Sequence, residues 1–522
     1  MRKPCRTLLL SALLCCALCV GASAIENNML KVGLKYGAEA MSEANLQNYS
    51  AFGGYALGYY DAQRSFVQLA ALPASYEKIT MTQDRTYHPQ LGETYPDYAS
   101  AAARAAQFYG AFAAYDNGAF VVRVGSYGDY ASAQSALYAL GGGGTVAGGS
   151  ASGVTVIVTG TSTVLFEFDG GGYSFLGIQP IAAGEKTVTW FRGYRYYGGF
   201  EYRRTEGGLL NVINVVDIED YVKCVIPWEM DSDWPIEALK AQSVCARTYA
   251  ACQRKHSALG FDICATTDCQ VYQGTAKCSG HSDAAVDQTA GQYLYYNGQI
   301  VKEALYYSSN GGASEDSVNV WGSDEPYLKG KIDPYEGRVA SRIPKYNWST
   351  TYTVSELTNL LNSKGYQIGT VQNAYVSALT DVGNVYSVTF VGTSGSRTVT
   401  RETCRTLLNL RSQRFTIGGG SGESYSVNEN GGSVLRGGMS AIDGSGQVSA
   451  VSGAADIYVI TSSGTAALEQ KTQQTASGGF TITGSGNGHN VGMSQWGAYA
   501  MTDLGHSYRE ILQFYYTGVT IM

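Results

Sequence analysis

The sequence predicts an α+β protein: a sheet-rich domain with helices around a cleft, joined to a smaller α/β N-terminal region. Three observations carry this. Between 154 and 217, runs such as VTVIVTG, TVLFEFDG and GLLNVINVV place β-branched and aromatic residues at strand spacing between glycines. Stretches such as DYASAAARAAQFYGAFAAY and WPIEALKAQSVCARTYA carry helical spacing instead. The C-terminal segment adds two further helical patterns, at about 494–503 and 508–516.

In chain order, the first segment is MRKPCRTLLLSALLCCALCVGASA. Arg2, Lys3 and Arg6 precede an apolar run, and Ala22-Ser23-Ala24 supplies a small-residue cleavage pattern, so 1–24 is expected to be a secretory signal peptide. An uncleaved leader of this length would serve as a membrane anchor. Residues 25–75 mix short apolar runs and turns and read as strands. From 98 to 145 a helix, a strand, a turn at Gly125-Ser126-Tyr127 and a second helix are expected. Gly141–Gly153 reads as a linker.

The central stretch is 217–250. Tyr221, Val222, Val225 and Ile226 read as a strand ended by Pro227, followed by Glu229 between Trp228 and Met230. After a polar turn, Asp233 is the expected N-cap of a helix running to about Gln253. Tyr296-Asn297-Gly298-Gln299 is a hairpin signal. A helix over 350–365, a pair of strands over 374–400, a helix over 400–412 and a Gly/Ser-rich β excursion over 418–486 complete the reading.

Charged residues are only 15%, against 65 Gly and 40 Tyr, and the net charge is −7 with pI near 5.4. That balance argues against a nucleic-acid partner. Abundant tyrosine suits stacking on sugars or peptides, and equally suits β packing. Cys5, Cys15, Cys16 and Cys19 belong to the leader. Cys224, Cys245, Cys252, Cys264, Cys269, Cys278 and Cys404 remain, an odd set that no complete disulfide framework uses.

Glu229, beside an indole and a thioether, should be poorly hydrated and hold its proton near neutrality, as a general acid must. Ile236, Lys240, Ser243 and Arg247 share one helical face, so Lys240 and Arg247 could bind an anionic or hydroxylated substrate beside it. The glycine loop GNGHNVGMSQWG puts His489 forward as a cleft-lining residue. His88, His281 and His506 read as surface or hydrogen-bonded side chains.

Seven stretches within 185–522 together resemble the SpoIID/LytB family: RYYGGFEYRRTEGGLLNVINVVDIEDYVKCVIPWEM, WPIEALKAQSVCARTYA, FDICATTDCQVYQG, YYSSNGGASED, VWGSDEPYLKG, LLNLRSQRFTI and GHNVGMSQWGAYAM. The family is similar to peptidoglycan lytic transglycosylases acting on glycan strands stripped of stem peptides. The resemblance implies Glu229 as catalytic acid and Arg247 in the active cleft; Lys240, Tyr307, Ser308, Ser309, Asn310, His489 and Gln495 are further candidates to contact the sugar. One carboxylate suffices for such an enzyme, because the muramic acid 6-hydroxyl attacks internally. Asp231 or Asp233 would instead be the partner in a two-carboxylate hydrolase, and a non-catalytic glycan-binding or amidase-enhancing protein is the other alternative. No cofactor is required for this chemistry. The resemblance also implies a structural zinc held by His256, Cys264 and Cys269, with Asp268 or water as fourth ligand; a Cys264–Cys269 disulfide is the alternative. Cys224, Tyr307 and Asn490 depart from the family pattern. The stretch FVVRVGSY with the helix after it resembles a SPOR domain, which implies glycan binding at about 80–145.

The expected organisation is therefore a leader at 1–24, an N-terminal region at 25–145, linker and strands at 146–184, and the SpoIID/LytB-like domain at 185–522. The expected partners are glycan strands and a cell-wall amidase, in a secreted or wall-associated protein.

Overall fold

The computed structural model describes residues 28–50, 53–182, 184, 186–419 and 479–522, with short β-strand pairs between 425 and 467. The expected leader lies outside the described residues, as does most of the 418–486 excursion. Among the described residues no helix is long and apolar enough to cross a membrane.

Strands β1 (Met29–Lys35), β2 (Glu43–Asn48), β3 (Tyr55–Tyr60) and β4 (Phe66–Leu72) open the chain, and β5 (Lys78–Gln83) follows. A βαββαβ unit comes next: β6 (Tyr87–Leu91), α1 (Tyr98–Ala105), β7 (Ala111–Asp116), β8 (Ala119–Val124), α2 (Tyr130–Ala139) and β9 (Gly144–Gly148). Asp97 and Asp129 cap its helices, each accepting the backbone N–H three residues on. Then come β10 (Val154–Val158), β11 (Val164–Asp169), β12 (Leu176–Pro180), β13 (Thr189–Phe191), β14 (Tyr194–Tyr196), β15 (Gly199–Arg204) and β16 (Leu210–Asp217).

Two sheets result. One runs β1-β16-β15-β12-β3-β4, with a short strand β17 (Ile263–Cys264) parallel to β1 at its edge. The other has ten strands in the order β14-β13-β2-β5-β10-β11-β7-β8-β6-β9. The expected boundary at 185 therefore does not divide the fold. β1 pairs with β16 along its length, and β3 pairs with β12, so residues 29–72 complete the sheets that carry the site. A single core joins Leu30 and Val32 to Ile511 and Ile521. The expected linker is also corrected: its middle is β9, paired with β6 from Leu91–Gly144 to Tyr87–Gly148.

Helices α3 (Ile218–Glu229) and α4 (Ile236–Cys252) follow β16. The expected strand at 221–226 is helix. Tyr221, Val222, Cys224, Val225, Ile226 and Pro227 are all buried and only Lys223 interrupts the run, so the narrow polar stripe of Glu219, Asp220 and Lys223 does not set a helical period there. Pro227 removes one helical hydrogen bond, that of its own N to Lys223 O. Cys278 Sγ occupies that carbonyl at 3.4 Å. Asp217 caps α3, accepting the Glu219 N–H at 2.8 Å. Asp233 does not cap α4: the N-cap position is Pro235, without a side-chain bond, and Asp233 donates its N–H to Asp231 Oδ1.

Helix α5 (Gly280–Asp287) packs on α3 and α4. The hairpin at Asn297-Gly298 forms as expected, with both residues at positive φ between β18 (Leu294–Tyr296) and β19 (Gln299–Ile300). Strand β20 (Tyr306–Tyr307) pairs in parallel with Met493–Ser494, and α6 (Ser317–Val320) follows it in the chain.

An inserted lobe then begins with β21 (Asn347–Thr353), α7 (Val354–Ser363), β22 (Val371–Leu379), β23 (Val385–Gly392), β24 (Gly395–Thr400), α8 (Thr403–Leu407) and β25 (Phe415–Gly419). It closes with the strand Gly479–Ser485, which lies between β21 and β25. This lobe has its own core, including Leu361, Phe390, Leu408 and Phe480. The region 374–400 is thus a three-stranded meander rather than a pair. The chain ends with α9 (Gln495–Thr502), α10 (Tyr508–Tyr515) and a strand Val519–Ile521 beside β18.

Candidate functional site

Glu229 is the last residue of α3. Its neighbours Trp228 and Met230 leave the helix at about 100° to either side, so they do not sandwich it as the sequence reading expected. Burial still raises the carboxyl group above its ordinary value of 4.5, and the cause is tertiary. The Val271 N–H and the side chains of Gln495 and Tyr306 hydrogen-bond the carboxyl group and oppose that rise without cancelling it.

These partners are themselves held. Tyr221 Oη donates to Gln270 Oε1 at 3.0 Å, and Gln270 Nε2 donates to Tyr306 Oη at 2.9 Å. Tyr306 passes that order on to Glu229. Gln495 is 7% exposed and begins α9, whose N-cap Ser494 accepts the Gly497 N–H.

Of the expected site residues, the structure brings Glu229 and Gln495 together. It adds Tyr306, Gln270 and Val271, which the sequence reading missed. They stand in the motifs CQVYQG and ALYYSSNGG, whose local pattern does not tell Tyr306 from Tyr307. Adjacent strand residues face opposite sides. Tyr307 is 5% exposed, packs on His489 at 5.2 Å and leaves its hydroxyl without a hydrogen bond.

Ser309 and Asn310 are wholly buried and do not face sugar. Ser309 Oγ donates to Glu336 Oε1 at 2.6 Å, and the Asn310 and Gly311 N–H groups donate to Glu336 at 2.9 Å each. Ser494 Oγ supplies a fourth donor. Glu336, itself 0% exposed, thereby locks the 309–311 loop to the start of α9 and keeps Tyr306 and Gln495 in register. Ser308 is half-buried and lines a cavity of about 230 Å³ with Lys345, Tyr346, Arg411, Asn487 and Trp496. Trp496 stacks on Trp234 at 4.6 Å, so the cavity wall is tied to the loop just after Glu229.

Arg247 is the clearest correction. Its side chain is 0% exposed and grips Glu219 through Nε at 2.9 Å and Nη2 at 2.6 Å. It also donates to Gln292 O and Val286 O. Glu219 stands in the first turn of α3 and Glu229 in the last. At 1.5 Å per residue their backbones lie about 15 Å apart along the helix. Arg247 is therefore a brace at the far end of α3 from Glu229, buried away from any substrate. Lys240 bonds Glu237 at 2.7 Å and lies over Tyr508, so its charge also serves packing.

His489 is half-buried between Tyr307 and Trp321, each at 5.2 Å. Its Nδ1 accepts the Val491 N–H at 3.2 Å, and burial holds it neutral, pushed down to about 4. Asn490 takes the left-handed φ of 64° that the family pattern gives to glycine. Its amide donates to Asn310 O and Ala313 O at 2.9 and 3.1 Å, so the change is accommodated.

Asp231 is exposed and accepts from the Asp233 backbone, and neither aspartate is among the groups that perturb Glu229. No carboxylate is among them.

His256, Cys264, Asp268 and Cys269 converge, with ligand atoms all within 4.8 Å of one another. Cys269 Sγ lies 3.4 Å from His256 Nε2, which is 3.5 Å from Asp268 Oδ2. Donors bonded to zinc at about 2.0–2.3 Å in a tetrahedron stand about 3.3–3.8 Å apart, so the set fits that ion. Cys264 and Cys269 are unbonded thiols, and the Cys269 hydrogen bond pushes Cys264 down to about 4, ready to ligate as thiolate.

Fold and site define a class: a sheet-rich α+β protein with a desolvated carboxyl group at a helix end, held by Val271, Tyr306 and Gln495. Residues 206–296 match the SpoIID family, described as "Stage II sporulation protein". An uncharacterized protein of Brachyspira hyodysenteriae is 31% identical over 338 residues, 63% of this chain and 73% of that one. The amidase enhancer of Bacillus subtilis is 31% identical over 321 residues, 58% of this chain but 40% of its own length. Stage II sporulation protein D of Bacillus subtilis is 26% identical over 325 residues, 59% of this chain and 74% of that one. The chain belongs to the SpoIID family.

Proposed function

We propose that this protein is an extracytoplasmic lytic transglycosylase that cleaves peptidoglycan glycan strands freed of stem peptides. The observation that carries the reading is Glu229: a half-buried carboxyl group held above its ordinary value by desolvation, with hydrogen-bond donors around it and no second carboxylate among its perturbers. As acid it gives its proton to the glycosidic oxygen while the C1–O bond breaks. As carboxylate it then takes the proton of the muramic acid 6-hydroxyl, whose oxygen bonds to C1. The product is a 1,6-anhydro end, and water is not consumed. Tyr306 and Gln495 favour the ionised form and so assist the first half, in which the proton leaves.

The βαββαβ unit of β6–β9, with strand order β7-β8-β6-β9, supports the proposal of a SPOR-like glycan-binding module. Exposed Tyr109, Tyr130 and Tyr138 offer it stacking surfaces. The expected leader fits a protein that works at the cell wall.

The test is product analysis on stem-peptide-free glycan. Wild type should yield anhydro ends by mass spectrometry, and Glu229→Gln should yield none. Reducing ends would mean hydrolysis. Intact strands with wild type would favour the second reading, an amidase-enhancing binder, which the name of one relative supports.

We also propose that His256, Cys264, Asp268 and Cys269 hold a zinc ion. Bound there, zinc would supply a structural clip between the end of α4 and β17, and none of the steps above uses it. Metal analysis should find that Cys264→Ser with Cys269→Ser removes one zinc per chain relative to wild type, with a lower melting temperature.

A further inference from the structure

A second polar cluster lies far from Glu229 in the chain, where the βαββαβ unit meets the body. Asp84 follows β5, His88 lies on β6 and Glu167 on β11; their exposures are 3%, 1% and 0%. The sequence reading placed His88 at the surface or in an ordinary hydrogen bond. Its Nδ1–H donates to Gly125 O, which fixes the tautomer and turns the Nε2 lone pair inward. Nε2 faces Asp84 Oδ1 at 3.8 Å and Glu167 Oε2 at 3.9 Å, with Thr86 Oγ1 at 3.0 Å as its present donor.

The cations beside the cluster are shared with other groups. Arg123 Nη1 stands 2.8 Å from Glu167 Oε1, but the same guanidinium serves Asp116 through Nη2 at 2.8 Å and Gln90 through Nε at 3.0 Å. Arg204 approaches Asp84 and spends its Nη1 on Ser150 O and Gly153 O. Both oxygens of Glu167 are sealed from water: Oε1 has the Arg123 guanidinium, and Oε2 faces Asp84 and His88. Two carboxyl groups and an imidazole nitrogen aimed at one point either share protons, which holds Glu167 above its ordinary value, or surround a cation.

We propose that Asp84, His88 and Glu167 form a buried divalent-cation site. Donors about 3.8 Å apart subtend about 130° at an ion bonded at about 2.1 Å to each, so a small first-row ion fits with little movement. An imidazole whose other nitrogen donates to a backbone carbonyl is oriented as metal ligands are. With nitrogen and oxygen donors and no sulfur, the set suits Mn²⁺ or Zn²⁺. The ion would join β5 and β11 of the body to β6 of the inserted unit, so its binding is coupled to folding there.

The experiment uses the full chain with Cys264→Ser and Cys269→Ser, which silences the thiolate set. The protein is stripped with chelator and titrated with Mn²⁺, counted by electron paramagnetic resonance, and then with Zn²⁺, counted by elemental analysis. The expected result is one ion per chain and a melting temperature that rises with metal concentration. Glu167→Gln and Asp84→Asn, both of conserved shape, should weaken binding by about tenfold or more. Circular dichroism identifies the variant that folds, and either one suffices. A chain that takes up neither ion, because the two carboxyl groups share a proton, overturns the proposal. So does equal uptake by a folded variant.

Discussion

At Glu229 burial and hydrogen bonding pull in opposite directions, and the pH behaviour follows from which is larger. Burial is the first cause, so the folded chain keeps this proton at a pH where the unfolded chain, near 4.5, has released it. Stability conferred by the site therefore falls as pH rises through the raised value. Glu229→Gln should flatten that part of the stability–pH curve, measured by chemical denaturation at a series of pH values. Removing the Gln495 donor by Gln495→Ala takes away a contact that favours the ionised form. The alkaline limb of the activity profile should then move to higher pH. A downward move would mean that Gln495 does not bond the carboxyl group. Asn490 teaches the same lesson about local chemistry: an asparagine accepts a glycine's backbone angle and adds two hydrogen bonds of its own.

At the scale of elements, α3 is fixed at both ends by different devices. Asp217 and the Arg247–Glu219 pair hold its start, while Pro227, with Cys278 on the freed Lys223 carbonyl, shapes its end. Taking one partner from a buried ion pair leaves the other uncompensated, at about 3–5 kcal/mol. Glu219 is 23% exposed, so the lower end applies. Glu219→Gln should lower unfolding free energy by about 3 kcal/mol while leaving the pH profile of the remaining activity in place. A shifted profile at unchanged stability would return Arg247 to the active site. Glu336 acts in the same way on the other wall, joining the 309–311 loop to α9 so that Tyr306 and Gln495 meet one carboxyl group.

For the whole molecule, the separate cores of the body and the inserted lobe predict separable unfolding. Leu361→Ala, in the lobe core, should cost about 2–5 kcal/mol and draw out a low-temperature transition in calorimetry. Leu239→Ala should instead lower the main transition. One joint transition shifted equally by both would show that the lobe has no independent stability. The sequence by itself determined the α+β class, α4, the Asn297-Gly298 hairpin and the terminal helices. It also singled out Glu229, Gln495 and the His256–Cys264–Cys269 set with Asp268, because caps, turn residues and motif spacing are local signals. It misread α3, since Lys223 alone breaks the apolar run Tyr221–Ile226 and the polar stripe it shares with Glu219 and Asp220 is narrow. It divided the chain at 185, since the pairing of β1 with β16 joins residues far apart in sequence. Only the tertiary structure decided that Arg247 braces a helix, that Tyr306 rather than Tyr307 reaches the acid, and that Asp84, His88 and Glu167 meet. Each depends on which face of an element turns inward, and packing between distant segments fixes that face.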